Sequence, residues 1–98
     1  MNPEEKTSIF LLKRLERLRL KINDLFPLMR GSVVKIGMKN KRPTYSLNMN
    51  GKTKIISLGH GKNIIAEKLI RNYHTLQAII DEMTLINIEL IRRREDPK

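Results

Sequence analysis

The chain has no cysteine, which excludes disulfides, thiol chemistry and thiolate-held zinc. Aromatic side chains are almost as scarce, with only Phe10, Phe26, Tyr45 and Tyr73, and single-stranded nucleic acids are gripped largely by stacking on such rings. No apolar run exceeds Ile9–Leu12, far short of the ~20 residues that cross a bilayer. The start, Met1-Asn2-Pro3-Glu4-Glu5-Lys6, has no basic lead into an apolar stretch, so a secretory signal is not expected and the protein is expected to be cytoplasmic. The two histidines, His60 and His74, have no partner one helical turn away, and neither a phosphate-binding loop nor a Gly-x-Ser-x-Gly elbow is present. At 98 residues the chain is expected to form a single domain over 1–98 with too small an interior for a deep pocket. No metal, no cofactor and no enzymatic activity are therefore expected.

The most informative absence concerns one sign of charge. The net charge is +10, but it is unevenly spread. Residues 1–30 hold seven basic and four acidic residues, 31–62 hold seven basic and none acidic, and 63–98 hold six of each. From Leu25 to Ala66 there is no Asp or Glu. A surface kept soluble would mix its signs, whereas a surface that meets phosphate must be free of carboxylates. The alternative is a lysine-rich hairpin kept basic to prevent edge-to-edge aggregation.

Two helices are predicted. Asn2-Pro3-Glu4-Glu5 offers an N-cap, a proline at the first helical position and a glutamate three residues after the cap. Leu11, Leu15, Leu18, Ile22, Leu25 and Met29 then follow in steps of four and three, with Lys13, Arg14, Arg17 and Lys21 off that seam. Pro27 is expected to end this helix at Phe26, giving 3–26. A second helix over 63–94, capped by Asn63, carries Leu69, Tyr73, Leu76, Ile80, Met83, Asn87 and Leu90 as its seam and Ile65, Ile79 and Ile86 as a second row. At 1.5 Å per residue it would reach ~47 Å, longer than a small sheet can cover. Its C-terminal half must pack on the first helix, on a second copy or on another protein, and Asn87 is a candidate for fixing register.

Between the helices the hydrophobic period becomes two, with strands expected at 32–37, 43–49 and 52–58. Asn50-Gly51 between the last two is a strong hairpin signal. A two-residue turn pairs Met49 with Lys52, Leu47 with Lys54, Tyr45 with Ile56 and Thr44 with Ser57. One face then carries Tyr45, Leu47, Met49 and Ile56, continued by Leu58, with Lys52 and Lys54 near the hairpin tip. The other carries Thr44, Ser46, Asn48, Thr53, Ile55 and Ser57. This second face is either the ordinary solvated side of a half-buried sheet or a surface for the DNA major groove. In that case Ser46, Asn48 and Thr53 reach base edges while Arg30, Lys35, Lys39, Lys41, Arg42, Lys52, Lys54 and Lys62 hold phosphates.

The order of elements resembles a family of small, uncharacterised bacterial and archaeal proteins linked to mobile elements. The residues that carry the likeness are Arg30-Gly31-Ser32-Val33, Pro43-Thr44-Tyr45-Ser46-Leu47, Gly51-Lys52, Asn72-Tyr73 and Leu85-Ile86-Asn87-Ile88-Glu89-Leu90. Where many relatives hold a cysteine cluster, this chain has Gly37-Met38-Lys39-Asn40-Lys41, so no metal site carries over. Residues 31–70 are also similar to the arm-binding domain of phage tyrosine recombinases, through Gly31-Ser32-Val33, Asn50-Gly51-Lys52, Ser57-Leu58-Gly59 and Ala66-Glu67-Lys68. That likeness implies a three-stranded sheet that enters the major groove.

The expected architecture is α+β: an N-terminal helix, a three-stranded antiparallel meander and a long C-terminal helix pairing with the first. The expected function is double-stranded DNA binding, as a regulator or recombination accessory factor of a mobile element or phage, with a homodimer formed through the long helix. A protein-interaction module docking that helix on a partner is the alternative, and structured RNA is a third option.

Overall fold

The computed structural model describes residues 2–36, 42–59 and 61–93. In chain order it has helix α1 (Pro3–Ile22), strands β1 (Ser32–Ile36), β2 (Arg42–Met49) and β3 (Lys52–Ser57), and helix α2 (Lys62–Arg92). This is an α+β fold with one antiparallel sheet in the order β1-β2-β3. Its contacts group the chain into two compact units, residues 1–25 with 75–98 and residues 26–74.

The first unit is a helical hairpin. At its start the Asn2 side chain accepts a hydrogen bond from the Glu5 N–H at 2.8 Å, with Pro3 in the first turn, so the cap is the one the sequence predicts. Helix α1 stops at Ile22, a turn before Phe26, and residues Asn23–Leu25 tighten into a 3₁₀ turn. Asn23 donates its N–H to the Leu20 carbonyl, the three-residue spacing of that tighter turn. Leu15, Leu18, Ile79, Ile86 and Leu90 form the buried cluster, with Leu11, Leu12, Ile22, Leu25 and Met83 packed on it. Two links show that the helices run antiparallel. Arg14 meets Glu82 through paired hydrogen bonds of 2.7 and 3.0 Å, and Arg93 reaches the buried Ser8 hydroxyl at 3.5 Å.

The seam of α1 follows the predicted spacing, whereas that of α2 is displaced. Its buried row is Ile79, Ile86 and Leu90 with the partly buried Met83 packed on it, so Met83 and Leu90 of the predicted seam face α1 together with Ile79 and Ile86 of the second row. Ile80, expected on the seam, is 49% exposed, and Asn87 is only half-buried. Counted at 100° per residue from the buried Ile79, Ile80 lies about 100° and Asn87 about 80° round the helix, off the α1-facing side, whereas Met83 and Leu90 lie within about 40° of it. Leu69, Tyr73 and Met29 belong to the second unit instead. Ile65, placed in the second apolar row, is exposed, while Ile79 and Ile86 of that row are core.

The second unit holds the sheet, the 26–31 connector and the first part of α2. Asn50 and Gly51 both have positive φ, 52° and 76°, as a two-residue hairpin turn requires. The register pairs Met49 with Lys52, Leu47 with Lys54, Tyr45 with Ile56 and Thr44 with Ser57, as expected from that turn. A further bond from the Leu58 N–H to the Pro43 carbonyl, 3.0 Å, extends the ladder past β3. The connector is tied to α2 by the Met29 N–H on the Leu69 carbonyl (3.2 Å) and by the Asn72 amide on the Pro27 carbonyl (3.0 Å). It is tied to the sheet by the Tyr45 hydroxyl, which donates to the Arg30 carbonyl. Among the described residues of this unit, Tyr45, Ala66 and Ile70 are the buried apolar ones. Helix α2 starts at Lys62, so Asn63 lies inside its first turn rather than capping it. The bond from the Lys62 N–H to the Gly59 carbonyl (3.1 Å) closes the turn that precedes it.

Candidate nucleic-acid interface

The division into two units sorts the charge. Residues 26–74 hold ten basic residues and one acid, Glu67, a net +9, whereas the remainder holds ten basic and nine acidic residues, a net +1. In the helical hairpin four arginines meet carboxylates: Arg14 with Glu82, Arg19 with Glu16, and Arg92 and Arg93 with Glu89. In the sheet unit, Arg30, Lys35, Arg42, Lys52, Lys54 and Lys62 are all exposed and make no ion pair among the described residues. Like charges crowded on a small surface repel one another, and a polyanion relieves that repulsion.

The strand register sets which of these side chains can act together. Thr44 lies across from Val34 and Ser57, Ser46 across from Ser32 and Ile55, and Asn48 across from Thr53, so these side chains share one face. Arg42, at the start of the same alternation, lies on that face as well. Thr44 is buried and Ser46 half-buried, while Asn48, Thr53, Ile55 and Ser57 are exposed. The opposite face carries Val33, Tyr45 and Leu47, with Lys35 beside Pro43 and with Lys52 and Lys54 opposite Met49 and Leu47. Lys35 thus lies on the apolar face rather than on the rim of the polar one. Ile56, also on that face, is 53% exposed.

The strand order is that of the expected meander, and it adds a second pattern. The middle strand, β2, presents Arg42, Ser46 and Asn48, while the lysines stand on the two outer strands, Lys35 on β1 and Lys52 and Lys54 on β3. All six residues of β3 are exposed, so both faces of this edge are open. Lys52 and Lys54 are therefore free to swing their flexible stems past the strand edge toward either side. Lys39 and Lys41 lie outside the described residues. Arg30 sits on the connector, where its carbonyl is held by Tyr45, and Lys62 opens α2.

The remaining candidate chemistry is sparse. Among the described residues no group of three His, Cys, Asp or Glu could hold a metal ion, and no helix is long and apolar enough to cross a membrane. On the hairpin unit Leu12, Leu15, Glu16, Arg19 and Met83 frame a cleft of about 140 Å³, smaller than the usual small-molecule site. No family model, curated protein or solved structure matches the chain.

Proposed function

We propose that the protein binds double-stranded DNA through the sheet of its second unit. The observation that carries this reading is the division of charge, +9 on residues 26–74 against +1 on the rest. Three adjacent strands spaced ~4.8 Å apart span ~10 Å between their outer backbones, comparable with a major groove of ~12 Å. A sheet laid on the groove brings its outer strands to the phosphate walls and its middle strand to the base edges. Ser46 and Asn48 on β2, with Thr53 beside them, offer donors and acceptors to bases, while Lys35, Lys52 and Lys54, rooted on the opposite face, reach phosphates by swinging their stems past the outer edges of β1 and β3. Arg42 serves either role from the end of β2.

In this reading the protein is a cytoplasmic, nucleoid-associated regulator or recombination accessory factor of a mobile element or phage, in keeping with the likenesses its sequence carries. The test compares binding to duplex DNA, single-stranded DNA and structured RNA over ~50–300 mM salt, where ionic contacts fade steeply. Preference for duplex DNA with a steep salt slope supports the proposal. Preference for structured RNA replaces DNA by RNA as the ligand of the same surface. Absence of binding at the lowest salt refutes a nucleic-acid role.

A further inference from the structure

The described strands root all of their lysines on one face and leave the other face without any. Lys35, Lys52 and Lys54 stand with Val33, Tyr45 and Leu47, whereas Ser46 and Asn48 share their face with Thr53, Ile55 and Ser57. Among the described residues the only charged side chain on that second face is Arg42, at its end. Two branched aliphatics flank its middle strand, Val34 on β1, 42% exposed, and Ile55 on β3, 63% exposed. A lone exposed aliphatic is ordinary on a protein surface, but this pair interrupts a face otherwise made of hydroxyls and one carboxamide. That carboxamide, Asn48, is exposed and has no hydrogen bond among the described residues.

Such a composition discriminates between base pairs. Guanine presents two acceptors that arginine or lysine meets best, and cytosine presents an amino group that a carboxylate accepts. The middle of this face holds neither a cation nor a carboxylate. An A·T pair presents a different set: an acceptor and an amino donor on adenine, then a carbonyl and a methyl group on thymine. One carboxamide meets both adenine groups at once, and an aliphatic side chain meets the methyl. The methyl lies at the thymine end of the pair, toward that strand's backbone. An aliphatic on an outer strand falls there when the middle strand lies over the base edges. The contact also removes from water an apolar side chain that the fold leaves uncovered.

We propose that this face reads A·T pairs, with Asn48 taking an adenine and Ile55 the methyl group of a thymine. Val34 offers the same apolar contact on the opposite flank of β2. The inference rests on the duplex-DNA reading and names the base pairs which that reading leaves open. Its contacts are apolar and amide contacts, so the dependence on salt stays with the lysines.

The probe is a duplex that the full chain selects from a randomised pool, remade with single thymines replaced by uracil. That exchange removes one methyl group and no hydrogen-bonding group. The selected duplexes are expected to share A·T pairs at their centre. Uracil at a contacted position should weaken wild-type binding about fourfold, the contribution of one buried carbon, with the salt slope unchanged. Ile55→Ser should abolish that loss at one position, with circular dichroism confirming that the variant keeps its fold. An adenine analogue with carbon in place of its groove-facing ring acceptor should weaken the wild type but not Asn48→Ala. Equal binding of thymine and uracil duplexes by the wild type overturns the proposal, as does a selected pool with a G·C centre or no common sequence. A uracil penalty undiminished in Ile55→Ser overturns the assignment to β3. Failure to bind any duplex is a separate result, since it refutes the DNA reading on which the proposal rests.

Discussion

The hydroxyl of Tyr45 donates a hydrogen bond to the carbonyl of Arg30, and the ring that carries it lies directly over Gly31. Gly31 has φ of 122°, outside the range of ordinary L residues. A Cβ at this position would enter the Tyr45 ring, 2.7 Å from its hydroxyl oxygen and 2.8 Å from the Ser46 carbonyl. This one junction thereby fixes the entry to β1, the height of β2 and the place of Arg30. Gly31→Ala meets both backbone strain and overpacking, so it should cost about 3 kcal/mol or more of stability. Tyr45→Phe removes only the hydrogen bond and should cost about 1 kcal/mol. Urea unfolding of the two variants checks the order, and equal losses would show that the glycine is not the tighter constraint.

Replacing Lys35, Lys52 and Lys54 with Gln, singly and together, should weaken duplex binding and flatten its dependence on salt. For every phosphate left without its lysine, the slope of log affinity against log salt should fall by about 0.9. A triple variant whose slope equals that of the wild type would remove the outer strands from the interface.

Ser46→Ala and Asn48→Ala probe the middle strand and should behave differently. If these side chains meet base edges, their removal should narrow the gap between a preferred site and random DNA by about 1–3 kcal/mol with little change in the salt slope. The readout is competition between the two DNAs at fixed salt. Uniform weakening on both would mean that Ser46 and Asn48 sit near the backbone and read no sequence.

The α2 seam has its own test in the contrast between neighbours. Ile86→Ala opens a cavity in the buried cluster and should cost about 2–4 kcal/mol, whereas Ile80→Ala acts on a half-exposed side chain and should cost under about 1 kcal/mol. Thermal or urea unfolding compares them. The reverse order would restore the seam expected from the heptad count.

That contrast marks where the sequence is legible and where it stops being so. Local chemistry carries the most: the Asn2 cap, the Asn50-Gly51 turn and the pairing register all follow from residues within a few positions of one another. The α1 seam is also legible, because Leu15 and Leu18 face one partner over a short span. α2 is harder, because one helix serves two units and no single phase of the heptad describes both. The early end of α1 is not encoded by Pro27 alone, since a 3₁₀ turn fits between Ile22 and that proline. The basic segment is evident from composition. The place of its lysines on the outer strands follows from the expected meander, and what the sequence leaves open is the β1–β2 register, which puts Lys35 on the face opposite Ser46 and Asn48.

Glu89 gives the fold a predictable weakness to acid. Hydrogen bonds from Arg92 and then Arg93 hold its carboxyl down to about 2, from an ordinary 4.5. Glu82 is likewise lowered, first by its hydrogen bonds from Arg14 and further by the charges of Arg14 and Lys21. Carboxylates depressed in the folded state contribute stability that is complete above their unfolded values and is lost as the pH falls through their folded ones. The helical hairpin should therefore weaken between about pH 4.5 and pH 2. Glu89→Gln should flatten that dependence in the last turns of α2. Glu82→Gln should do the same at the Arg14 link, and the two variants together should flatten it further. Amide exchange of residues 85–92 across this range separates the effects. If the wild type and Glu89→Gln lose protection in parallel on acidification, the Arg92–Glu89–Arg93 cluster does not hold the end of the helix.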